Sequence, residues 1–176
     1  MVDMSKEYRN ILFDLQRSVR YHDQRKSFFE FLHRITNVLT ILMAGNVIYT
    51  LALPPSVSPP WWFTTISLIA VFLSACDLVI GYASKSNLHF KLRDRFSDLE
   101  LDVREKGLQS FDLNTVRRLR VEIEKDEPPV YCALDAMCYN EVVRATFKKS
   151  EYKDYLIDIK FRHRLTRHLF QWKSLS

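Results

Sequence analysis

Glycine, proline and paired cysteine are scarce in this chain of 176 residues. Its three glycines, Gly45, Gly81 and Gly107, are too few to build a phosphate-cradling loop or most other glycine-dependent catalytic turns. No GxSxG or HExxH is present, and the five histidines are scattered, with His163 and His168 spaced wrongly for a pair on one helical face. These absences argue against an enzyme and call for no cofactor. Cys76, Cys132 and Cys138 form no CxxC pair and have no suitably spaced histidines, so reduced thiols are expected, with neither a disulfide frame nor a zinc site. The six prolines lie only at 54–60 and 128–129, and no alternating run is long enough for a sheet. Repeats and low-complexity tracts are missing too. Between its breaks the chain is free to be helix, and an all-α fold is expected.

Two apolar runs stand out: Ile35–Leu53 and Trp61–Ala83, with the proline-rich break 54–60 between them. At a rise of ~1.5 Å per residue they reach ~28 Å and ~34 Å, against a hydrocarbon core of ~30 Å. Asp77 is the one formal charge inside. Prolines forbid a single continuous helix, so the runs predict a transmembrane hairpin; the alternative is the buried core hairpin of a soluble protein. Arg17, Arg20, Arg25, Lys26 and Arg34 precede the first run, Lys85, Lys91, Arg93 and Arg95 follow the second, and the connecting loop is uncharged. The positive-inside rule then places both termini in the cytoplasm, with Trp61 and Trp62 as interfacial anchors. No cleavable signal peptide is expected, because the first apolar run starts only at Ile35 behind a charged segment. The expected organisation is a cytoplasmic amphipathic helix over 1–34, a hairpin over 35–83 (spans 35–53 and 61–83, outer loop 54–60), and a cytoplasmic helical region over 84–176.

In the flanks, Tyr8, Ile11, Leu12, Leu15 and Val19 recur at helical spacing in Ser5–Arg34, which should run straight into the first span. Leu88, Leu92, Phe96, Leu99 and Val103 make a narrow packing seam in Ser86–Lys106, ended by Gly107. Asp112 is the expected N-cap of a helix over Leu113–Lys125. After Pro128 and Pro129, a helix over Val130–Lys149 is expected to bury Leu134, Met137, Cys138, Val142 and Ala145. A last helix from Ser150 would carry a stripe of Ile157, Phe161, Leu165, Leu169 and Trp172, ringed by Lys160, Arg162, Arg164, Arg167 and Lys173, with no acid after Asp158. That tail packs on the bundle, lies on anionic lipid, or binds nucleic acid, the least expected of the three partners.

Within the second span, Ser67, Ala70, Ser74, Asp77, Gly81 and Ser84 recur at steps of three and four, a small and partly polar stripe on a bulky helix. Such a stripe lets helices pack closely or lines the pore of an oligomer. A carboxylate in hydrocarbon costs roughly 2.5–3.5 kcal/mol, so Asp77 should face a partner: a hydrogen-bonding residue of the first span, where Thr40 and Asn37 lie at similar depth, or a ring of its own copies. Asn46 is a further candidate for interhelical bonding. The acids Glu122, Glu124, Asp126 and Glu127 read as a charged helix end before a proline stop, or as a site for a basic partner or cation. Cys138 and Asn140 read as packing and capping residues.

The segments KSNLHFKLRDRFSDLELDV and RLRVEIEKDEPPVYCALDAMCYNEV, set behind a two-span hairpin, resemble the SLATT family of bacterial two-transmembrane effector domains. The matching residues are Leu88, His89, Phe96 and Leu99, then Glu124, Asp126, Glu127, Pro128, Pro129, Cys138 and Asn140. The resemblance implies a pore-forming or membrane-disrupting effector of the bacterial inner membrane, acting in antiphage defence, abortive infection or phage competition, and triggered by a cytoplasmic sensor or activator. Two thin spans cannot enclose a water path, so a homo-oligomer is expected. The alternatives are a non-conducting membrane anchor or adaptor that docks a cytoplasmic partner and, more weakly, a holin-like lysis protein, against which the large charged region argues.

Overall fold

With no glycine or proline before Gly45, the N-terminal third of the chain coils into one helix, α1 (Met4–Ala52). The computed structural model describes residues 4–52, 60–110, 112–148 and 152–172, and from 46 to 52 the backbone alone. The side chain of Asn46, Leu53, and 54–59 of the expected outer loop therefore lie outside the described residues. Pro60 precedes α2 (Trp61–Ile80), its carbonyl accepting from the amide of Phe63 at 3.0 Å. Gly81 leaves the helix in the left-handed conformation, φ 69°, and α3 (Tyr82–Lys106) starts at once. The expected second span, Trp61–Ala83, is thus three residues shorter as a helix, because an αL residue ends the run of helical hydrogen bonds. Gly107 caps α3 the same way, φ 62°. A 3-10 turn over Leu108–Ser110 leads to α4 (Leu113–Glu124), whose N-cap Asp112 accepts from the amide of Asn114. Next come α5 (Cys132–Thr146), a 3-10 turn at Tyr152–Tyr155 and the short α6 (Phe161–Leu165). Among the described residues the fold is all-α, without a strand.

The chain divides into two units. Unit 1 holds α1 up to Arg25 together with the described chain from His89 on; unit 2 runs from Lys26 to Leu88. In unit 1, α1 and α3 pack antiparallel: the Tyr8 hydroxyl donates to the Val103 carbonyl, Gln16 to Glu100 at 3.1 Å, and His22 meets His89. Leu92, Phe96, Leu99 and Val103 are buried along this seam against Ile11 and Leu15. The other side of α1 takes α5, through Arg17 to Asp135 at 3.3 Å, Gln24 to Glu141 at 2.9 Å, and the Tyr21 hydroxyl, which accepts from the Tyr131 amide. Helix α4 is tied on by Arg120 to Asp14 at 2.9 Å and Arg117 to Glu7 at 3.1 Å.

Two expectations for the C-terminal third fail. In α5 the buried residues include Ala133, Leu134, Ala136, Cys138, Asn140, Val142 and Val143, whereas Ala145 is exposed: the helix stops at Thr146 and Phe147 is extended, so the burying face never reaches position 145. Ser150 itself lies outside the described residues, and over 152–172 the expected long last helix does not form. Asn140 holds Ile157 from both sides, Nδ2 donating to its carbonyl at 2.7 Å and Oδ1 accepting from its amide at 2.8 Å. That amide is therefore committed away from the bond to a preceding turn that a continuous helix requires. Ile159 and His163 turn inward instead, and the expected stripe of Phe161, Leu165 and Leu169 faces outward.

In unit 2, α2 has a mean hydropathy of 2.1, and only 6% of its apolar window is buried. Among the described residues it is the one helix long and apolar enough to cross a membrane.

Candidate functional site

The small stripe of α2 is the starting point in unit 2, where it faces α1. Ser67 Oγ donates to the Phe63 carbonyl at 2.9 Å and lies 3.7 Å from Met43 Sδ; Ala70 is buried one turn on. Thr40 Oγ1 donates to the Thr36 carbonyl at 2.8 Å, so its 3.1 Å contact with Ser74 Oγ has the serine as donor. Asp77 then closes the seam. Its Oδ2 is 3.0 Å from Nδ1 of His33, its Oδ1 accepts from the Tyr82 amide at 3.0 Å, and its backbone carbonyl accepts from the Gly81 amide at 2.7 Å. One residue thus stitches α2 to α3 across the left-handed glycine and pins both to α1.

Asn37 Nδ2 can only donate, so His33 Nε2, 3.1 Å away, accepts from it, and His33 Nδ1 donates to Asp77 Oδ2. The expected partners Thr40 and Asn37 are in the seam, but neither touches Asp77; His33, one turn nearer the N-terminus, does. The stripe also ends sooner than its periodicity predicts, since Gly81 breaks the helix and Ser84, beyond it, is exposed in α3.

A second polar cluster lies in the core of unit 1. His22 and His89 are both buried with their Nδ1 atoms 3.0 Å apart, and His22 Nε2 is 3.0 Å from Glu127 Oε1. The ring of Phe96 stacks on His22 at 5.5 Å and Tyr21 meets it edge-on at 5.3 Å. The line between the two Nδ1 atoms has room for one hydrogen. With Glu127 ionised, His22 donates from Nε2 and His89 donates to His22. Glu127 opens on a cleft of about 370 Å³ whose other acids are spoken for: Asp135 by Arg17, and Glu124 by Arg120 at 2.7 Å. Burial pushes the Asp135 carboxyl up, and Arg17 opposes it. Among the described residues no group of three or more His, Cys, Asp or Glu is arranged to hold a metal ion.

The other residues singled out in the segments around Leu88–Leu99 and Glu124–Asn140 fall mainly on the joints of unit 1. Phe96, Leu99 and Cys138 are core; burial pushes the Cys138 thiol up to about 12. Asp126 pairs with Arg95, Glu124 with Arg120, Asn140 splints Ile157, and Pro128 and Pro129 carry the chain between α4 and α5. Leu88 is half-buried at the end of unit 2. Sequence reasoning missed His22 and His33. For His22 a signal existed: it continues the inward series Ile11 and Leu15 at steps of four and seven, so it had to share the core with whatever α3 offered. Compared with known proteins, the chain matches no family model, no curated protein and no solved structure.

Proposed function

We propose that this chain is a two-span protein of the bacterial inner membrane, with both termini in the cytoplasm, and that it acts on the membrane as a SLATT-like, pore-forming effector assembled from several copies in antiphage defence. The observation that carries the membrane part is α2: twenty residues, hydropathy 2.1, with Leu68, Ile69, Val71, Phe72, Leu78 and Val79 all turned outward. An apolar surface of that extent needs a partner, and lipid fits its length. What supports the effector part is Asp77, because an ionisable residue at membrane depth is expensive and marks a functional position by default. Conduction would follow release of His33 from Asp77, turning the stripe from α1 toward neighbouring copies; unit 1 would receive the trigger from a cytoplasmic partner.

A second reading, the non-conducting anchor or adaptor, is favoured by the same seam, since Ser67, Ser74 and Asp77 already have partners within their own chain. Membrane potential in cells expressing the chain with its activating signal separates the two. The effector reading expects depolarisation, altered by Asp77→Ala; unchanged potential under those conditions leaves the anchor. Extraction with alkaline carbonate tests insertion itself, and release of the chain would overturn both.

A further inference from the structure

The C-terminal segment of unit 1 leaves several large apolar side chains uncovered. Phe161 and Leu165, one turn apart on α6, are 79% and 72% exposed, and Leu169 and Phe170 follow at 64% and 58%. This face is held in place from behind. Ile159 and His163 are buried beneath it, and Asn140 fixes Ile157. Arg25 donates to the His168 carbonyl at 2.8 Å, and Trp172 donates to Thr166 Oγ1 at 3.0 Å while packing on His163. Lys160, Arg162 and Arg164 stand exposed among the apolar side chains, and no acid follows Asp158.

We propose that this face docks on the headgroup region of an anionic bilayer. Phe161, Leu165, Leu169 and Phe170 enter the boundary between headgroups and acyl chains, and the flanking cations pair with lipid phosphates, the arrangement that favours interfacial binding. Charge decides between occupants. A second copy would bring the same cations face to face, and nucleic acid would answer the charge but leave the two leucines uncovered. The inference rests on the membrane reading above, in that a lipid surface must be at hand.

The test is hydrogen exchange of the full chain in nanodiscs, zwitterionic or with anionic lipid added. The Phe161–Phe170 amides should exchange several-fold more slowly in anionic discs, and high salt should erase the difference. K160Q/R164Q should lower the segment's equilibrium constant for lipid about 30-fold, and L165S/L169S should also abolish the slowing. All four positions are exposed, so the fold itself is not challenged. Equal exchange in both kinds of disc overturns the proposal. So does slowing that appears in detergent and grows with protein concentration, which identifies a second copy. Slowing seen only when an acidic protein is added overturns it in favour of a protein partner. Carbonate extraction of the same preparations keeps the two readings apart: a chain that is stripped yet still distinguishes anionic vesicles loses its spanning helix and keeps this surface.

Discussion

The two units differ in what they leave exposed. Unit 1 hides Phe96, Leu134 and Cys138 completely and leaves arginines and carboxylates to pair near its surface. In unit 2, α2 sets Ser67, Ser74 and Asp77 toward α1 and its bulky residues outward, with Leu78 and Val79 at 87% and 85% exposed. A core that excludes water must be apolar. A hairpin in lipid gains nothing by hiding leucine, and associates through small side chains and hydrogen bonds instead. On the membrane reading proposed above, the comparison teaches that one chain serves two solvents, with the division between its units inside α1 and α3 rather than at a linker.

The sharpest way to break that comparison is to remove the centre of the water-excluding core. Phe96→Ala should cost unit 1 about 3–5 kcal/mol, since it deletes a fully buried ring that also packs against His22. Denaturant melts of unit 1 should show the loss, while carbonate extraction of the chain stays unchanged; a joint failure would mean that the units are one cooperative body. Asn140→Ala comes next, at roughly 1–3 kcal/mol, because the Ile157 amide and carbonyl lose their partners. Hydrogen exchange should show 157–172 opening before the α1–α3 seam.

Acid should produce a graded effect of similar size in unit 1. Burial, with Arg167 and Arg25 adding to it, holds His168 down to about 4, and burial with Arg162 and Lys160 lowers His163. The unfolded chain takes up these protons near pH 6.5 and the folded one does not, so stability falls as pH drops from about 6.5 toward 4. Asp135, pushed upward, binds its proton more readily when folded and works in the opposite direction at the low end. Melts at pH 7, 5.5 and 4.5 read the sum; His168→Phe should flatten the slope. The smallest effect belongs to the seam: a Ser74→Ala and Thr40→Ala cycle should give a coupling of about 0.6 kcal/mol, measured by unfolding in detergent. A coupling near zero would mean the two hydroxyls are merely adjacent.

Local rules were legible at several positions. The carboxylate of Asp112 had amides just ahead of it to accept from, Gly107 sat where α3 needed a left-handed residue, and the steps from Leu92 to Val103 marked the face that α1 covers. The polar clusters were not legible, because each joins distant stretches: His22 to His89 and Glu127 across 67 and 105 residues, His33 to Asp77 across 44. Periodicity reports that a side chain faces inward but is silent on what it meets. It misled outright on α6, where Phe161 and Leu165 share a helical face as expected, yet the opposite face, with His163, is the buried one.

Sequence alone determined that this protein is helical, where its glycines and prolines interrupt it, and that its centre is apolar enough for lipid, because those properties belong to single residues and their near neighbours. The tertiary structure decided which polar groups are satisfied and by whom, that Asp77 answers to His33, that Glu127 reaches a buried histidine pair, and which side of the tail looks outward. Those outcomes depend on the packing of whole helices, and a buried donor accepts whichever partner that packing brings within 3 Å.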